Sequence, residues 1–401
     1  MFHKEIAKDV YSVGVLNPNL RVFDIVMSTE FGTSYNAYLV KGSEKTALIE
    51  TSHKHFLDYL MENIQDVAEL SSIDYLVMNH NEPDHSGAIA KLLEVIPNLQ
   101  IIASQAGALY LKNITNRTDL NLRIVKNGET LDLGGKTLTF LSAPFLHWPD
   151  SMFTWLEEDK VLFTCDFLGS HYCEPQAMDS SVAYPEDYET AFRGYYDAIF
   201  GPFKPYVLKG LDIMDSLPVE IAAPSHGPVL TKGNLLPAAM EKYREWSTPV
   251  KSEQKVIPIF YCTAYGNTEQ LADAMAKGIN RVFPDAAVET YNIIDHDLAT
   301  LGGIMNESDA FLIGSPTLNR DAVPPVYMLL AHADAINIQK RPVAVFGSYG
   351  WSGEAVANIR TRLQCLKTKL FAEDFRVIFV PSEEDLKRAE EFGAAFAESL
   401  K

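Results

Sequence analysis

From residue 256 onward the chain alternates short, continuously apolar runs with amphipathic stretches long enough for helices, and this alternation narrows the possible folds more than any other feature. Apolar runs that lack in/out alternation read as strands covered on both faces, and strands separated by helices pair in parallel. The runs lie at 256–261, 287–293, 310–314, 342–346 and 377–380, and helical periodicity occupies 268–282, 353–366 and 383–400. The spacing predicts a five-stranded, doubly wound parallel sheet.

Residues 1 to about 245 follow a different rule. Short strand-like runs at 46–50, 136–141 and 160–164 are broken by frequent turn signals, with a few helical stretches between them, which predicts an α+β sandwich. The polar, Pro-containing run at 246–255 reads as the linker, giving domains at 1–250 and 251–401. A hydrophobic content of 47% over 401 residues supplies two cores. The net charge of −19 excludes nucleic acid and anionic membrane surfaces as partners. Four cysteines, at 165, 173, 262 and 365, show no C-x-x-C spacing, so a zinc ribbon or dithiol motif is excluded and reduced thiols in the cytoplasm are expected. The first residues carry no signal-peptide pattern and no stretch of 18 apolar residues occurs, so a soluble, untargeted protein is expected.

The N-terminal part contains His80-Asn81-Glu82-Pro83-Asp84-His85. Two imidazoles and two carboxylates in six residues are costly to bury unpaired and point to a cation. Three more segments also follow apolar runs: His147-Trp148-Pro149-Asp150, Cys165-Asp166 and Pro224-Ser225-His226-Gly227. If the runs are strands, their ends can bring His80, Glu82, Asp84, His85, His147, Asp166 and His226 to one point. Seven ligands suit two ions with a bridging carboxylate, and the mixed N/O set favours iron or manganese, although zinc accepts it too. Taken singly, His147 and His226 read as ordinary hydrogen-bonded histidines, Asp166 as a turn residue, and Asp84 as a helix cap; the set is what argues for metal.

In the C-terminal part, the first strand runs into Thr263-Ala264-Tyr265-Gly266-Asn267-Thr268 and then directly into a helix, a cradle for an anion. It has neither the Gly-Lys-Ser/Thr ending of a nucleoside-triphosphate loop nor G-x-G-x-x-G, so a phosphate monoester such as that of FMN fits best. Two further strand ends carry Ser315-Pro316-Thr317-Leu318-Asn319 and Ser348-Tyr349-Gly350-Trp351-Ser352-Gly353, with aromatic and amide surface for a planar ring. The bland alternative is a doubly wound domain with Gly-rich turns and no cofactor.

The order His-x-Glu-x-Asp-His, His-Trp-Pro-Asp, Cys-Asp-Phe-Leu-Gly-x-His and Pro-Ser-His-Gly, followed by Thr-x-Tyr-Gly-Asn-Thr, resembles the flavodiiron proteins (A-type flavoproteins) over nearly the whole chain. The resemblance implies an N-terminal metallo-β-lactamase-like αββα sandwich and a C-terminal flavodoxin-like domain. It implies two non-haem irons, one held by His80, Glu82 and His147 and the other by Asp84, His85 and His226, with Asp166 as the bridge. FMN in the second domain would relay electrons. Hydrolases of the wider superfamily typically carry a histidine where Glu82 stands, and the carboxylate favours ferric iron and redox work. The implied activity is reduction of O2 to water, of NO to N2O, or both; the alternative is a hydrolase of this fold with an attached flavodoxin module. His171 is a catalytic or pocket candidate by the same resemblance; Tyr195 and Tyr196 could supply a proton donor near the irons, although a pair of tyrosines on a helix reads more often as packing. Because the chain ends after its last helix, a separate donor is expected, rubredoxin or a reduced deazaflavin. A head-to-tail homodimer, or a dimer of dimers, is also implied.

Overall fold

The computed structural model describes residues 4–249 and 254–401. The chain forms two compact units, Met1–Pro249 and Val250–Lys401. The helix Leu236–Ser247 covers the start of the expected linker, and residues 250–253 of that run lie outside the described residues.

The first unit is built on two sheets. One holds Lys4–Ala7, Val10–Ser12, Tyr38–Lys41, Thr46–Ile49, Tyr75–Met78, Gln100–Ala103 and Leu122–Ile124, side by side in that order. The other holds Thr130–Asp132, Thr137–Ser142, Met152–Leu156, Val161–Cys165, Ile221–Pro224 and Leu230–Thr231, again in chain order. Successive side chains in a strand point to opposite faces. Accordingly Tyr38, Val40, Ala47, Ile49, Val77 and Ile102 of the first sheet meet Leu138, Phe140, Met152, Leu156 and Phe163 of the second in one core. Their neighbours Leu39, Leu48, Leu76, Met78 and Ile101 face outward onto the helices Leu57–Gln65, Ile89–Val95 and Gln105–Thr115. The second sheet is covered likewise by Pro185–Tyr195, Lys204–Asp215 and Leu236–Ser247. Burial on both faces explains why runs such as 46–49 read as continuous apolar sequence instead of alternating. The result is a four-layer αββα sandwich, the metallo-β-lactamase-like arrangement expected.

The second unit has one sheet in which the consecutive parallel strands lie in the order 2-1-3-4-5: Thr290–Asn292, Ile259–Tyr261, Phe311–Leu318, Pro342–Tyr349, and a fifth position shared by Lys369–Leu370 and Phe375–Ile378. The helices Asn267–Val282 and Glu383–Glu398 pack on one face, and Leu298–Glu307, Pro324–Ala331 and Glu354–Cys365 on the other. This is a flavodoxin-like sheet. The third and fourth strands run farther than the apolar pattern suggests, because Ser315–Leu318 and Gly347–Tyr349 continue pairing after the apolar run stops. The last strand is at 375–378, not 377–380, and the second shrinks to Thr290–Asn292 with an isolated bridge from Ala287 to Val256.

Candidate metal centre and flavin pocket

All four ligand segments leave strand ends at one edge of the sandwich. After Tyr75–Met78 the chain reaches His80, and Pro83 then starts a four-residue helix, Pro83–Ser86, capped by Glu82. In that turn the Glu82 carbonyl accepts the N–H groups of His85 and Ser86, each at 2.9 Å, which brings Glu82, Asp84 and His85 round to the same side. Asp166 follows Cys165, whose φ of 53° ends the strand Val161–Cys165 in a left-handed turn. His147 and His226 follow Thr137–Ser142 and Ile221–Pro224.

Ligand-type atoms of His80, Glu82, His147 and Asp166 all lie within 4.8 Å of one another, as do those of Asp84, His85 and His226. Asp166 joins the two groups. Its Oδ2 stands 3.6 Å from His80 Nε2 and 3.4 Å from His147 Nε2, and its Oδ1 stands 3.2 Å from His85 Nε2 and 3.5 Å from His226 Nε2. Glu82 Oε2 faces His80 and His147 at 3.2 and 3.1 Å, and Asp84 faces His85 and His226 at 3.4 and 3.1 Å. All four imidazoles thus present Nε2 to the centre.

The outer ring nitrogens explain that orientation. His226 Nδ1 donates to the Ser34 carbonyl at 2.6 Å, which leaves the Nε2 lone pair for the centre. His80 Nδ1 lies 3.2 Å from Asp150 Oδ1, and Asp150 is itself fixed by the N–H and amide of Asn81, both at 2.9 Å. His85 Nδ1 faces the buried Glu50 at 3.9 Å.

The electrostatics demand positive charge. Both oxygens of Asp84 and Oδ2 of Asp166 are buried without a hydrogen-bond donor. Carboxylates buried short of hydrogen-bond donors cost on the order of several kcal/mol each. Burial opposes charge on His85, yet Asp84 and Asp166 outweigh it and raise the imidazole to about 10. His80 is likewise raised well above the usual range, burial being outweighed by Asp150 and Glu82. Burial would raise Asp166, but His85 and its neighbours hold it well below the ordinary carboxylate range. Four imidazoles packed against three carboxylates, with His80 and His85 pushed toward the protonated form to balance them, fit a pair of cations, and the N/O donor set fits iron.

His171 stands beside this cluster. Its Nδ1 lies 2.9 Å from Thr33 Oγ1, its ring centre is 5.1 Å from that of His226, and its Nε2 is buried without a partner. Burial, then the charge of His226, lowers its pKa well below the usual histidine range. Tyr195 and Tyr196 are both packed in the core, and Tyr195 in addition donates its hydroxyl to Asp166 Oδ1 at 3.1 Å, while Tyr196 bonds Ser247. Sequence reasoning also missed Glu50, Asp150 and Ser34. An acid closing the apolar run at 46–50 was a visible signal for Glu50, whereas a backbone carbonyl such as that of Ser34 leaves none.

The second unit carries a cavity of about 330 Å³ at the carboxyl ends of its strands. Of the residues singled out from the sequence, Ala264, Tyr265, Asn267, Pro316, Thr317, Leu318, Asn319, Ser348, Tyr349, Gly350, Trp351 and Ser352 line it. Thr263, Gly266, Thr268, Ser315 and Gly353 lie outside that lining. Thr263 Oγ1 is buried and unpartnered, just ahead of the helix Asn267–Val282, whose cap Gly266 takes φ 80°. A buried orphan hydroxyl at a helix N-terminus fits a phosphate. Thr268 Oγ1 is paired with Ser348 Oγ at 2.9 Å, and the Ser315 hydroxyl accepts the Val323 N–H at 3.1 Å. Gly353 leaves room for the Tyr349 ring, which a Cβ would meet at 3.1 Å. Tyr265 and Trp351 stand 89% and 86% exposed on the cavity wall, apolar surface suited to a planar ring.

Comparison with known proteins agrees with both halves. Residues 33–227 match the family model described as ODP family beta lactamase, and residues 259–393 match that of flavodoxin. The chain is 55% identical to Flavo-diiron protein FprA2 of Clostridium acetobutylicum over 397 residues, 99% of each chain. The chain belongs to the flavodiiron family. Another relative, the anaerobic nitric oxide reductase flavorubredoxin of Vibrio vulnificus, is 38% identical across 83% of this chain and 67% of its own. Among solved structures, rubredoxin oxygen:oxidoreductase from Desulfovibrio gigas superposes with a TM-score of 0.71 at 29% identity, covering 100% of this chain and 98% of that one. Flavodiiron proteins are oxidoreductases that reduce O2, NO or both, and their cofactors are FMN and a non-haem diiron centre. Among the described residues, no helix is long and apolar enough to cross a membrane.

Proposed function

We propose that this flavodiiron protein reduces O2 to water, NO to N2O, or both, at a diiron centre held by His80, Glu82 and His147, by Asp84, His85 and His226, and by Asp166 between them. FMN would occupy the cavity at 264–267, 316–319 and 348–352. The observation that carries the reading is the placement of Asp166, one carboxylate oxygen toward each histidine group. When bound, the irons supply two adjacent Lewis-acidic redox positions and FMN supplies the electrons.

The chain's own residues do the rest. Asp150 and the Ser34 carbonyl hold His80 and His226 with Nε2 inward, so the centre is organised before substrate arrives. Tyr195 donates its hydroxyl to Asp166 Oδ1, and burial keeps that phenol protonated far above neutral pH. His147 and Glu82 are the ligand candidates that keep most contact with solvent, 13% and 11% of their side chains, which marks the open side for a small gas. The other five are more fully enclosed.

The reading includes a separate donor of rubredoxin type, supported by the names of the Vibrio and Desulfovibrio proteins. A reduced deazaflavin is the second candidate donor. A head-to-tail dimer would bring one copy's flavin to the other's irons, and a reducing cytoplasm suits four free cysteines. The test is to mix anaerobically reduced protein with O2 or NO and follow flavin reoxidation. Oxidation within milliseconds to seconds, with gas consumed in steady state from reduced rubredoxin, is expected. Slow background oxidation, or zinc in the centre with ester or thioester hydrolysis, would reject it in favour of a hydrolase.

A further inference from the structure

The fifth strand of the flavodoxin-like sheet is broken in two, and the break changes what its end can reach. Lys369–Leu370 pairs with Pro342–Val343, and after residues 371–374 the chain pairs again, Phe375–Ile378 with Phe346–Tyr349. Both halves therefore use the same neighbour, and the second is moved toward that neighbour's carboxyl end. Ile378 comes to lie opposite Tyr349, the last strand residue before Gly350 and Trp351.

The next residue is Phe379. Its N–H donates to the Tyr349 carbonyl at 2.8 Å, and its backbone takes φ 54°, a region bulky residues avoid. Its ring lies against Gly350, where a Cβ would stand 3.1 Å from two ring carbons. It lines the same cavity as Tyr265, Leu318 and Trp351, yet it is 64% exposed. A left-handed backbone that holds a large apolar ring mostly in water is a cost of the kind that clusters where a ligand uses it.

We infer that Phe379 is a fourth wall of the flavin site, packing on the isoalloxazine ring from the end of the fifth strand, in addition to the three loops named above. The inference rests on the cavity being the FMN site. Ring contact is favoured over phosphate contact because the anion cradle is at Thr263 and Gly266, while Phe379 sits with the aromatic loop at 349–351. The arrangement also explains Gly350, since a side chain there would push Phe379 away from the cavity.

The experiment is FMN titration into full-length protein stripped of flavin, read by quenching of flavin fluorescence, with visible circular dichroism of the bound flavin. Phe379→Ala should weaken FMN binding five- to tenfold or more and alter the flavin dichroism, and Phe379→Tyr should stay near wild type. Phe379→Gly should also weaken FMN, yet leave the denaturation midpoint of the flavin-free protein unchanged or raised, because glycine relieves the left-handed backbone. A fold-only role would move that midpoint downward. Wild-type FMN affinity and dichroism in Phe379→Ala would overturn the inference while leaving the cavity assignment intact. If Trp351→Ala and Thr263→Val also bind FMN normally, the cavity assignment itself falls. A change in sedimentation of Phe379→Ala without a change in FMN affinity would make the ring a subunit contact and overturn the inference too.

Discussion

At the metal cluster, His80 and His226 are hydrogen-bonded through Nδ1 so that Nε2 can face the centre, and the carboxylates are buried among imidazoles. At the cavity proposed for the flavin the wall is open: Tyr265 and Trp351 are exposed, and the proposed anion cradle joins the Thr263 hydroxyl to a helix N-terminus. The contrast shows two ways of preparing for a cofactor. A charged ligand needs groups whose burial would be ruinous without it, so the protein must hold them rigidly. A planar organic ligand needs apolar surface and one anion site, which strand ends and a helix terminus supply.

The largest effect expected is at the point where the two histidine groups meet. Asp166→Ala should abolish turnover and lower iron content while FMN stays bound, measured by metal analysis beside the flavin spectrum. Full iron occupancy with normal activity would remove the bridge from the scheme. The next test strikes the flavin half alone. The helices Asn267–Val282 and Glu383–Glu398 approach so closely that a Cβ on Gly278 would lie 1.9 Å from the Glu390 carbonyl oxygen. Gly278→Ala should destabilise the second unit by about 3 kcal/mol, seen as flavin release at lower urea with iron content unaffected.

Asp150→Asn sharpens the metal half, because it keeps shape but removes the charge behind His80. A loss of about 10- to 100-fold in iron affinity is expected, measured by chelator competition, and FMN affinity should not change. Unchanged iron affinity would show that Asn81 and packing suffice. The smallest effect concerns Ser382, which caps the last helix through a reciprocal box with Asp385. Ser382→Ala should cost about 1 kcal/mol in denaturant titration of the second unit, with neither cofactor's affinity changed at neutral pH.

Much of this was legible in the sequence, for reasons that differ between residues. The ligand candidates are charged or imidazole side chains placed just past apolar runs, so type and position both betray them. The doubly wound sheet was visible because doubly covered strands are continuously apolar. Sequence could not choose between packing and a proton donor for Tyr195, because a tyrosine on an amphipathic helix carries the same signal whether its hydroxyl meets solvent or a carboxylate, and the structure shows both. Strand ends at 314 and 346 were placed too early because residues 315–318 and 347–349, which break the apolar run, still pair through backbone groups, which have no sequence signature.

The sequence by itself determined the two fold classes, the kinds of cofactor they suit, and the seven residues able to hold metal, since these follow from side-chain chemistry and periodicity. Tertiary structure alone decided which histidine group faces which oxygen of Asp166, that Glu50, Asp150 and Ser34 stand behind the imidazoles, and that a broken strand carries Phe379 to the cavity at the strand ends. These depend on register and on contacts between residues far apart in the chain, and pairwise distance is not encoded in any local pattern.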